Sequence, residues 1–400
     1  MRNVKLIAKN TVSQVLSITI GLFFSIAGAH LLSIAEFGEL RYAMTLLPIF
    51  MTFSLPGYDS IILRNAHLRK HVPLLEIFYV KAGCALLGTV VILGAVFVLR
   101  DHINNTLMFF LVCIALLLPL FDTGTGYRNY LLGNRLRHAG IHLVVVTRMI
   151  SFALMVASFF LIYTYDLKRI YILPAYLLAL IVPTLTIFFL VAHRQKSWKM
   201  QKISQLDIPA AVAATFAGMI YMLAFSLDKL LVRQELSATQ LASYAILVMG
   251  PQELSKLVDA TVPLFYRQLF FSKQKIVLRE KLKTLLLLPC LILIYVALFY
   301  TFSGFVFGAA YHYSLGSVAL SGLMIASLSF EFFNIHHILA TFGSRLYFIY
   351  SLSNLLTSAV ILTAALSAGG INGLMMGLIF KQIAIPIIFS YIHRRKMHEI

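Results

Sequence analysis

Several ionisable side chains lie inside long apolar segments of this chain, where water is scarce. The cations among them are Arg41, Lys81, Arg148, Lys229, Lys256 and Lys381. The carboxylates in the same segments that could move protons are Asp228, Glu253, Asp259 and Glu331. A Lys or Arg at the centre of a bilayer costs about 2.5–3.5 kcal/mol on insertion scales, so such residues usually mark ion or substrate pathways. Buried cations could hold phosphate or pyrophosphate, and buried carboxylates could carry protons.

Depth separates these cations into two groups. Lys381 lies near the middle of its segment, and Arg148 lies about eight residues into its own, roughly 12 Å deep at 1.5 Å per residue. Snorkelling to the interface does not easily cover that depth. For Lys381, structural pairing with a carboxylate and a place in a cavity both fit. Lys81, Lys229 and Arg41 lie closer to segment ends, where pairing or interface anchoring and a role in a cavity both fit.

Glu253, Lys256 and Asp259 follow one another at three-residue spacing. On a helix they share a face, so they could pair with each other or contact a substrate. Gly250-Pro251 directly before them predicts a kink. Glu331 could carry protons or act as the counter-ion of a cation. Asp59, Asp122 and Arg128 lie at segment ends and are interpreted as boundary residues.

The elements that hold these residues are predicted to be membrane-spanning helices. Hydrophobic residues make up 60% of the 400 residues and charged residues 12%, with a mean hydropathy of +0.88. A bilayer core needs roughly 20 apolar residues per helix. Twelve segments qualify, at approximately 11–32, 40–62, 77–99, 105–123, 140–164, 170–192, 208–232, 240–266, 284–308, 314–339, 346–367 and 370–392. We therefore expect an all-α polytopic membrane protein.

Lys and Arg alternate between the gaps that separate these segments. Every second gap, with both chain ends, holds 23 of them, and the intervening gaps hold only Arg100, Lys168, Arg169 and Arg233. Cytoplasmic loops carry the excess of Lys and Arg, so both termini are expected in the cytoplasm. The net charge of +18 suits anionic membrane lipids, because no basic stretch forms a module that reads nucleic acid.

The gaps also exclude several classes of protein. The predicted outer gaps are short, which argues against a membrane enzyme with a loop over its substrate, and no Walker motif for ATP is present. Cys84, Cys113 and Cys290 all lie in apolar segments and have no metal-ligand spacing. We expect no cofactor.

The basic gap 193–207 lies at the midpoint of the chain and contains the single tryptophan, Trp198. Trp with several Lys residues suits the lipid–water interface. We interpret the gap as a linker between two six-helix bundles, 1–192 and 208–400, and an ordinary solvated loop fits the same composition equally well. Both halves have a Leu-Ser turn after their first segment, at Leu32-Ser33 and Leu236-Ser237, as in a parallel repeat.

The chain resembles the O-antigen flippases of the multidrug/oligosaccharidyl-lipid/polysaccharide exporter superfamily. The resemblance extends over essentially the whole chain and includes Asn10 before the first segment and the turn from Ser33 to Phe37-Gly38. It also includes Ser226-Leu227-Asp228-Lys229 and Tyr244. These motifs are moderately specific to the superfamily and poorly specific to substrate.

The resemblance implies two bundles around a cationic cavity in a bacterial inner membrane. Such flippases move undecaprenyl-pyrophosphate-linked oligosaccharide units to the outer leaflet by alternating access. Lys381, Arg148, Lys256 and Lys229 match the kind of cavity cations that the family uses, and Lys81 and Arg41 are further candidates. Proton coupling would fall to Glu253, Asp259, Glu331 or Asp228. A polysaccharide polymerase and a chain-length regulator would be protein partners.

Two other functions remain open. A drug or small-cation exporter of the same superfamily should have an acidic, aromatic cavity, whereas the buried residues here are mostly cations. A membrane enzyme of polysaccharide assembly should have a large outer loop.

Overall fold

The computed structural model describes residues 2–67, 72, 74–133, 137–194, 208–271 and 276–397. Within these ranges it describes no side chain at 2–10, 60, 64–65, 67, 132–133, 137–138, 208, 210, 258–271, 276–288, 336–345, 390 and 393–397. The predicted site residue Asp259 falls among these, and 195–207 of the predicted linker lies outside the described residues.

Helices make up nearly all of the described chain. They are α1 (Arg2–Leu31), α2 (Ile34–Phe50), α3 (Gly57–His67), α4 (Leu74–Val98), α5 (Asn105–Phe121), α6 (Gly126–Gly133), α7 (Arg137–Thr164), α8 (Ile172–Arg194), α9 (Ile208–Glu235), α10 (Ala238–Phe271), α11 (Ile276–Phe307) and α12 (Leu315–Met397). Short 3-10 turns at Met51–Ser54, Thr123–Thr125 and Arg169–Tyr171 connect some of them. The prediction of an all-helical polytopic protein is confirmed for the described residues.

The helices fall into two compact units, Met1–Met222 and Leu223–Ile400. In the first unit α1 packs on α7, α3 on α6, α4 on α5 and α7 on α8. In the second unit α10 and α11 both pack on α12. The division falls within α9, and the predicted domain limits at 192 and 208 stay a prediction.

Two spans of the first unit are broken inside the membrane-spanning region. The first break separates α2 from α3 at Leu55, whose φ of 53° is left-handed, and Pro56 cannot continue the α2 hydrogen bonds. The Gly57 amide donates instead to Thr215 Oγ1 at 3.0 Å. A Cβ on Gly57 would lie 2.0 Å from the Ala211 carbonyl oxygen, so only glycine permits this contact.

The second break separates α5 from α6 at the 3-10 turn Thr123–Thr125. Pro119 lies in the last turn of α5, and Asp122 is the residue at which that helix ends. Because a broken helix leaves backbone groups without helical partners, polar side chains gather there. Both breaks therefore create polar sites within apolar spans.

The 83 residues of α12 fold back on themselves. A straight helix of that length would measure about 125 Å, several times a bilayer core. Gly370 has a φ of 58°, and a Cβ on Gly373 would lie 2.2 Å from the carbonyl oxygen of Ala365. The chain therefore reverses near Gly370, and the segments on either side pack closely together.

Nine described helices are long and apolar enough to cross a membrane, or ten with the broken pair α2–α3. One of these stretches, Leu346–Phe389, contains the reversal and so holds two predicted spans. Helix α10, which contains Glu253 and Lys256, covers one more predicted segment, 240–266. The described helices thus accommodate all twelve predicted segments, whereas the orientation of the termini stays a prediction.

Candidate functional site

The first cluster of buried charge surrounds Lys81 on α4, which has an exposed fraction of 0%. Its Nζ lies 3.2 Å from Asp59 Oδ1 and 2.9 Å from Asp122 Oδ2. The same Nζ donates to the Asp122 carbonyl oxygen at 3.3 Å. Asp59 comes from the first helix break and Asp122 from the second, so both breaks direct a carboxylate at one lysine.

Hydroxyl groups hold these carboxylates in place. Ser54 Oγ donates to Asp122 Oδ2 at 2.8 Å. Thr125 Oγ1 lies 3.2 Å from Asp122 Oδ1 and 3.4 Å from Asp59 Oδ2. The interpretation of Asp59 and Asp122 as boundary residues missed this network. Lys81 is paired structurally, one of the two alternatives that its sequence left open, and a substrate role for it stays a prediction.

Two arginines lie close together in the same unit. Tyr127 Oη and Thr147 Oγ1 are 3.1 Å apart in the α6–α7 contact. The next residue on each helix is an arginine, so this contact places Arg128 and Arg148 within electrostatic range of each other. Among the described residues, no hydrogen bond or ion pair is made by either guanidinium. This pair is therefore a candidate anion site.

The charge balance of this region is positive. Asp59 is within electrostatic range of Arg128, but it already pairs with Lys81. The interacting groups are three cations and two carboxylates, which leaves an excess of one positive charge. Arg148 is half-buried, whereas Arg128 is exposed although protein surrounds much of its side chain. An anion that reaches Arg128 could therefore also approach Arg148.

Arg41 lies on α2 and contacts α1. Its Nη1 donates to Ser25 Oγ at 3.0 Å, and its guanidinium carbon lies 6.0 Å from the centroid of the Phe37 ring. These contacts hold the side chain against neighbouring groups of the first unit. The prediction that Arg41 binds substrate is not tested by them.

The second unit buries Lys381 and Glu331, each with an exposed fraction of 1%. Among the described residues, Lys381 Nζ reaches only neutral oxygens, the Ala224 carbonyl and Asn354 Oδ1, both at 3.5 Å. Glu331 Oε1 accepts from Asn354 Nδ2 at 3.4 Å, and Glu331 Oε2 has no hydrogen-bond partner in the described structure. Asn354 thus lies between the ammonium group of Lys381 and the carboxylate of Glu331. Lys381 and Glu331 form no direct ion pair with each other in the described structure.

Further polar groups surround this second cluster. Ser358 Oγ donates to Asn354 Oδ1 at 3.2 Å, and Ser327 Oγ donates to Gln382 Oε1 at 2.6 Å. The second of these contacts joins parts of α12 that lie on either side of its reversal near Gly370. Asn354 and Gln382 were not identified from the sequence, because neutral amides in an apolar segment add no charge to its pattern.

Asp228 and Lys229 on α9 form a third group. The Asp228 side chain is buried, and its Oδ2 accepts from the Tyr244 hydroxyl at 2.6 Å and lies 3.6 Å from Lys229 Nζ. Lys229 Nζ also lies 5.6 Å from the Phe225 ring centroid. The charges largely compensate each other, and roles in substrate binding or coupling stay predictions.

Glu253 and Lys256 pair on α10, with Lys256 Nζ 2.6 Å from Glu253 Oε1. The Lys256 side chain is 52% exposed, so the pair lies at the surface of the described unit. Self-pairing was one of the two alternatives for these residues.

In the described part of the chain, no group of three or more His, Cys, Asp or Glu could hold a metal ion.

The sequence matches no protein-family model and no curated protein. Solved structures do match it in fold. One is an outward-facing multidrug resistance MATE transporter of the MOP superfamily, with a TM-score of 0.65 at 11% identity, covering 99% of this chain and 96% of that one. Another is the Vibrio cholerae MATE transporter VcmN in its bent form, with a TM-score of 0.62 at 13% identity, covering 100% of this chain and 98% of that one.

A third structure is a MOP superfamily transporter from Pyrococcus furiosus, whose binding pocket is described as having reverse polarity, suggesting a different function. Its TM-score is 0.63 at 12% identity, covering 99% of this chain and 95% of that one. Identities this low establish the fold alone. The chain has the helical fold of the MOP superfamily transporters, with two six-helix halves.

Proposed function

We propose that this chain is a membrane transporter that flips undecaprenyl-pyrophosphate-linked oligosaccharide units across the bacterial cytoplasmic membrane. The observation that carries the proposal is the arginine pair, Arg128 and Arg148, which repel each other and have no ion pair among the described residues. Two like charges near each other repel, and solvent screens the half-buried Arg148 only in part. A bound anion of two negative charges or more would reverse that cost.

Pyrophosphate is the anion that best fits two guanidinium groups. Each guanidinium presents a planar set of donors that matches phosphate oxygens in a bidentate fashion. Lysines would act only as point charges. The Lys81 cluster itself has one cation and two carboxylates, so the attraction for the headgroup comes from the two arginines.

The need for a carrier follows from the substrate's two parts. Sugars and a pyrophosphate cannot cross hydrocarbon unaided, because each unpaired polar or charged group pays a large desolvation cost. The polyprenyl tail is apolar, pays no such desolvation cost and can stay in the lipid. A protein that offers polar contacts to the headgroup only would therefore suffice, and this proposal requires no enzymatic step.

The test is flipping in reconstituted vesicles that contain undecaprenyl-pyrophosphate-linked oligosaccharide. We expect the Arg128→Ala/Arg148→Ala double variant to lose most of the flipping rate, and the double Lys variant to retain part of it. Arg100→Ala is the matched control, because Arg100 is 59% exposed and pairs with Asp101 outside the spans. Unchanged flipping in a normally inserted double Ala variant would overturn the proposal.

A cation or drug exporter of the same fold is the second candidate. Two observations favour it, namely the two carboxylates around Lys81 and the likeness to a multidrug resistance transporter. Under this alternative, Asp59→Asn and Asp122→Asn would abolish ethidium efflux from cells. Under the flippase proposal, deletion of the protein removes surface polysaccharide and leaves ethidium efflux unchanged, so the two assays separate the candidates.

A further inference from the structure

We infer that the second unit has a binding site for uncharged saccharide at the end where α10 and α12 begin. This inference rests on the proposed function and adds a separate contact for the sugar part of the substrate. A cavity of about 380 Å³ lies there, open on one side. Its walls come from the α9–α10 and α11–α12 connections and from the reversal of α12 near Gly370.

The ligand is expected to be uncharged because the described cavity wall has no Lys, Arg, Asp or Glu. Two helix N-termini meet at the cavity, and free N-termini could hold an anion. Here each N-terminus is already capped by a serine. Ser237 Oγ accepts from the backbone N–H of Gln240 at 3.1 Å, and Ser314 Oγ accepts from the backbone N–H of Ser317 at 3.2 Å. Their own serines thus satisfy one backbone donor at each N-terminus, and the described cavity wall adds no cation for an anion.

Three side chains in the wall have hydrogen-bonding capacity left for a ligand. Asn372 Oδ1 accepts from Ser317 Oγ at 2.8 Å, which fixes the amide and leaves Nδ2 without a partner in the described structure. The exposed side chains of Gln240 and His312 likewise make no hydrogen bond to a described residue. Amides and an imidazole both donate and accept, as ligand hydroxyl groups require.

An aromatic wall stands next to these groups. The Tyr313 hydroxyl donates to the Ser243 carbonyl oxygen at 2.9 Å, and its ring lies 5.7 Å from the Phe299 ring. The ring is thereby fixed and can present one apolar face to the C–H side of a sugar. Few polar groups beside a rigid apolar face are typical of small-molecule sites.

Glycines keep the cavity open. A Cβ added at Gly369 or Gly370 would meet no atom within 4 Å, so these residues face open space. On the neighbouring helix, a Cβ at Gly304 would lie 2.6 Å from His312 Cε1, so that glycine lets His312 lie close to α11. All three connections belong to the gaps with few cations, and the site is therefore on the predicted outer side of the membrane.

The experiment measures saccharide binding to the purified full-length protein in nanodiscs by saturation-transfer NMR. The probes are the neutral oligosaccharides maltotriose and chitotriose, with sialyllactose as an anionic comparison. We expect a neutral probe to bind and sialyllactose to bind more weakly. Gln240→Ala/Asn372→Ala should weaken binding about 30-fold, because two hydrogen bonds are lost and each contributes on the order of 1 kcal/mol.

Two further variants complete the test. Gly369→Phe should fill the cavity and abolish saccharide binding. The control is Asn334→Ala, which should leave saccharide binding unchanged. Asn334 lies on the same helix, and its Nδ2 donates to the Phe330 carbonyl oxygen. Gly369→Ala serves if the Phe variant does not fold, since its Cβ meets no atom, and it should bind more weakly than wild type. Binding of neither neutral probe, or equal binding in every variant, would overturn the inference.

Vesicle flipping assays on the same proteins separate this inference from the proposed function. Flipping that depends on Arg128 and Arg148, with no neutral saccharide bound, would overturn the saccharide site alone. Saccharide binding that depends on Asn372, with flipping independent of both arginines, would overturn the proposed role of the arginine pair alone.

Discussion

Lys81 shows what a lysine without access to water requires of its surroundings. Two carboxylates and a carbonyl oxygen compensate one ammonium, and two hydroxyl groups bond to the carboxylates. A buried pair of this kind adds little net stability, because desolvation offsets the Coulomb attraction. Removing one partner is different, since the charges left behind stay buried without compensation.

Lys81→Met should therefore destabilise the protein by about 3–5 kcal/mol, because Asp59 and Asp122 would lose their shared cation. Thermal unfolding of the purified protein in detergent measures the change. The triple variant Lys81→Met/Asp59→Asn/Asp122→Asn should recover part of the loss. Lys256→Ala is the control, because an exposed pair contributes less than about 1 kcal/mol. A Lys81→Met protein as stable as wild type would contradict this account.

Lys381 differs from Lys81 because it has no direct carboxylate partner among the described residues. A cation held only by neutral oxygens at 3.5 Å keeps most of its capacity to bind an anion. We expect Lys381→Ala to abolish surface polysaccharide while protein level and membrane insertion stay normal. Arg100→Ala, outside the spans, should keep the polysaccharide. Wild-type polysaccharide in the Lys381→Ala strain would exclude Lys381 from substrate binding.

Glu331 leads to a separate prediction. One of its oxygens lacks a hydrogen-bond partner in the described structure, and Asn354 connects the other to Lys381. A proton that binds Glu331 would change the charge next to Lys381. Glu331→Gln should therefore remove the dependence of vesicle flipping on an imposed pH gradient, and an unchanged dependence would exclude Glu331 from coupling.

At the scale of the element, the reversal of α12 depends on small residues at the contact between its two arms. A Cβ on Gly377 would lie 2.8 Å from Ala365 Cβ, a second close approach one turn after Gly373. The rings of Tyr350 and Phe389 meet at 5.2 Å further from the turn. Small residues permit such close approach of membrane helices.

Gly373→Ala should lower the thermal unfolding temperature, because its Cβ would meet the backbone carbonyl oxygen of Ala365, which cannot rotate away. Gly369→Ala is the matched control four residues earlier, where a Cβ meets no atom within 4 Å. Unfolding curves of the two variants, recorded side by side in detergent, test this difference. Equal unfolding temperatures would show that the arms can separate without cost.

The sequence predicts the elements better than it predicts the sites. Long apolar segments define the spans because a bilayer requires about 20 apolar residues, whatever their order. The helix breaks do contain breaker residues, Pro56-Gly57 and Gly124, but these residues do not show whether a span ends there or is interrupted and continues. Asp59, Asp122 and Arg128 were therefore assigned to segment ends, although the breaks place them beside Lys81 and Arg148.

At the scale of the whole molecule, charge asymmetry predicts orientation. The basic gaps hold 23 Lys and Arg residues and the others four. Moving one positive charge outward against a membrane potential of about 100 mV costs about 2.3 kcal/mol. Orientation with the basic gaps in the cytoplasm therefore has the lower free energy. The structural similarity to the MOP superfamily transporters does not establish the orientation of this chain in the membrane.

Labelling of single cysteines with a membrane-impermeant maleimide tests the orientation. In a background where Cys84, Cys113 and Cys290 are replaced by Ser, Asp101→Cys should react in intact spheroplasts, because its side chain is 81% exposed in a predicted outer gap. Arg194→Cys, at the exposed end of α8, should react only after permeabilisation. The reverse pattern would put the saccharide site in the cytoplasm, on the side where the substrate is loaded instead of the side where it is released.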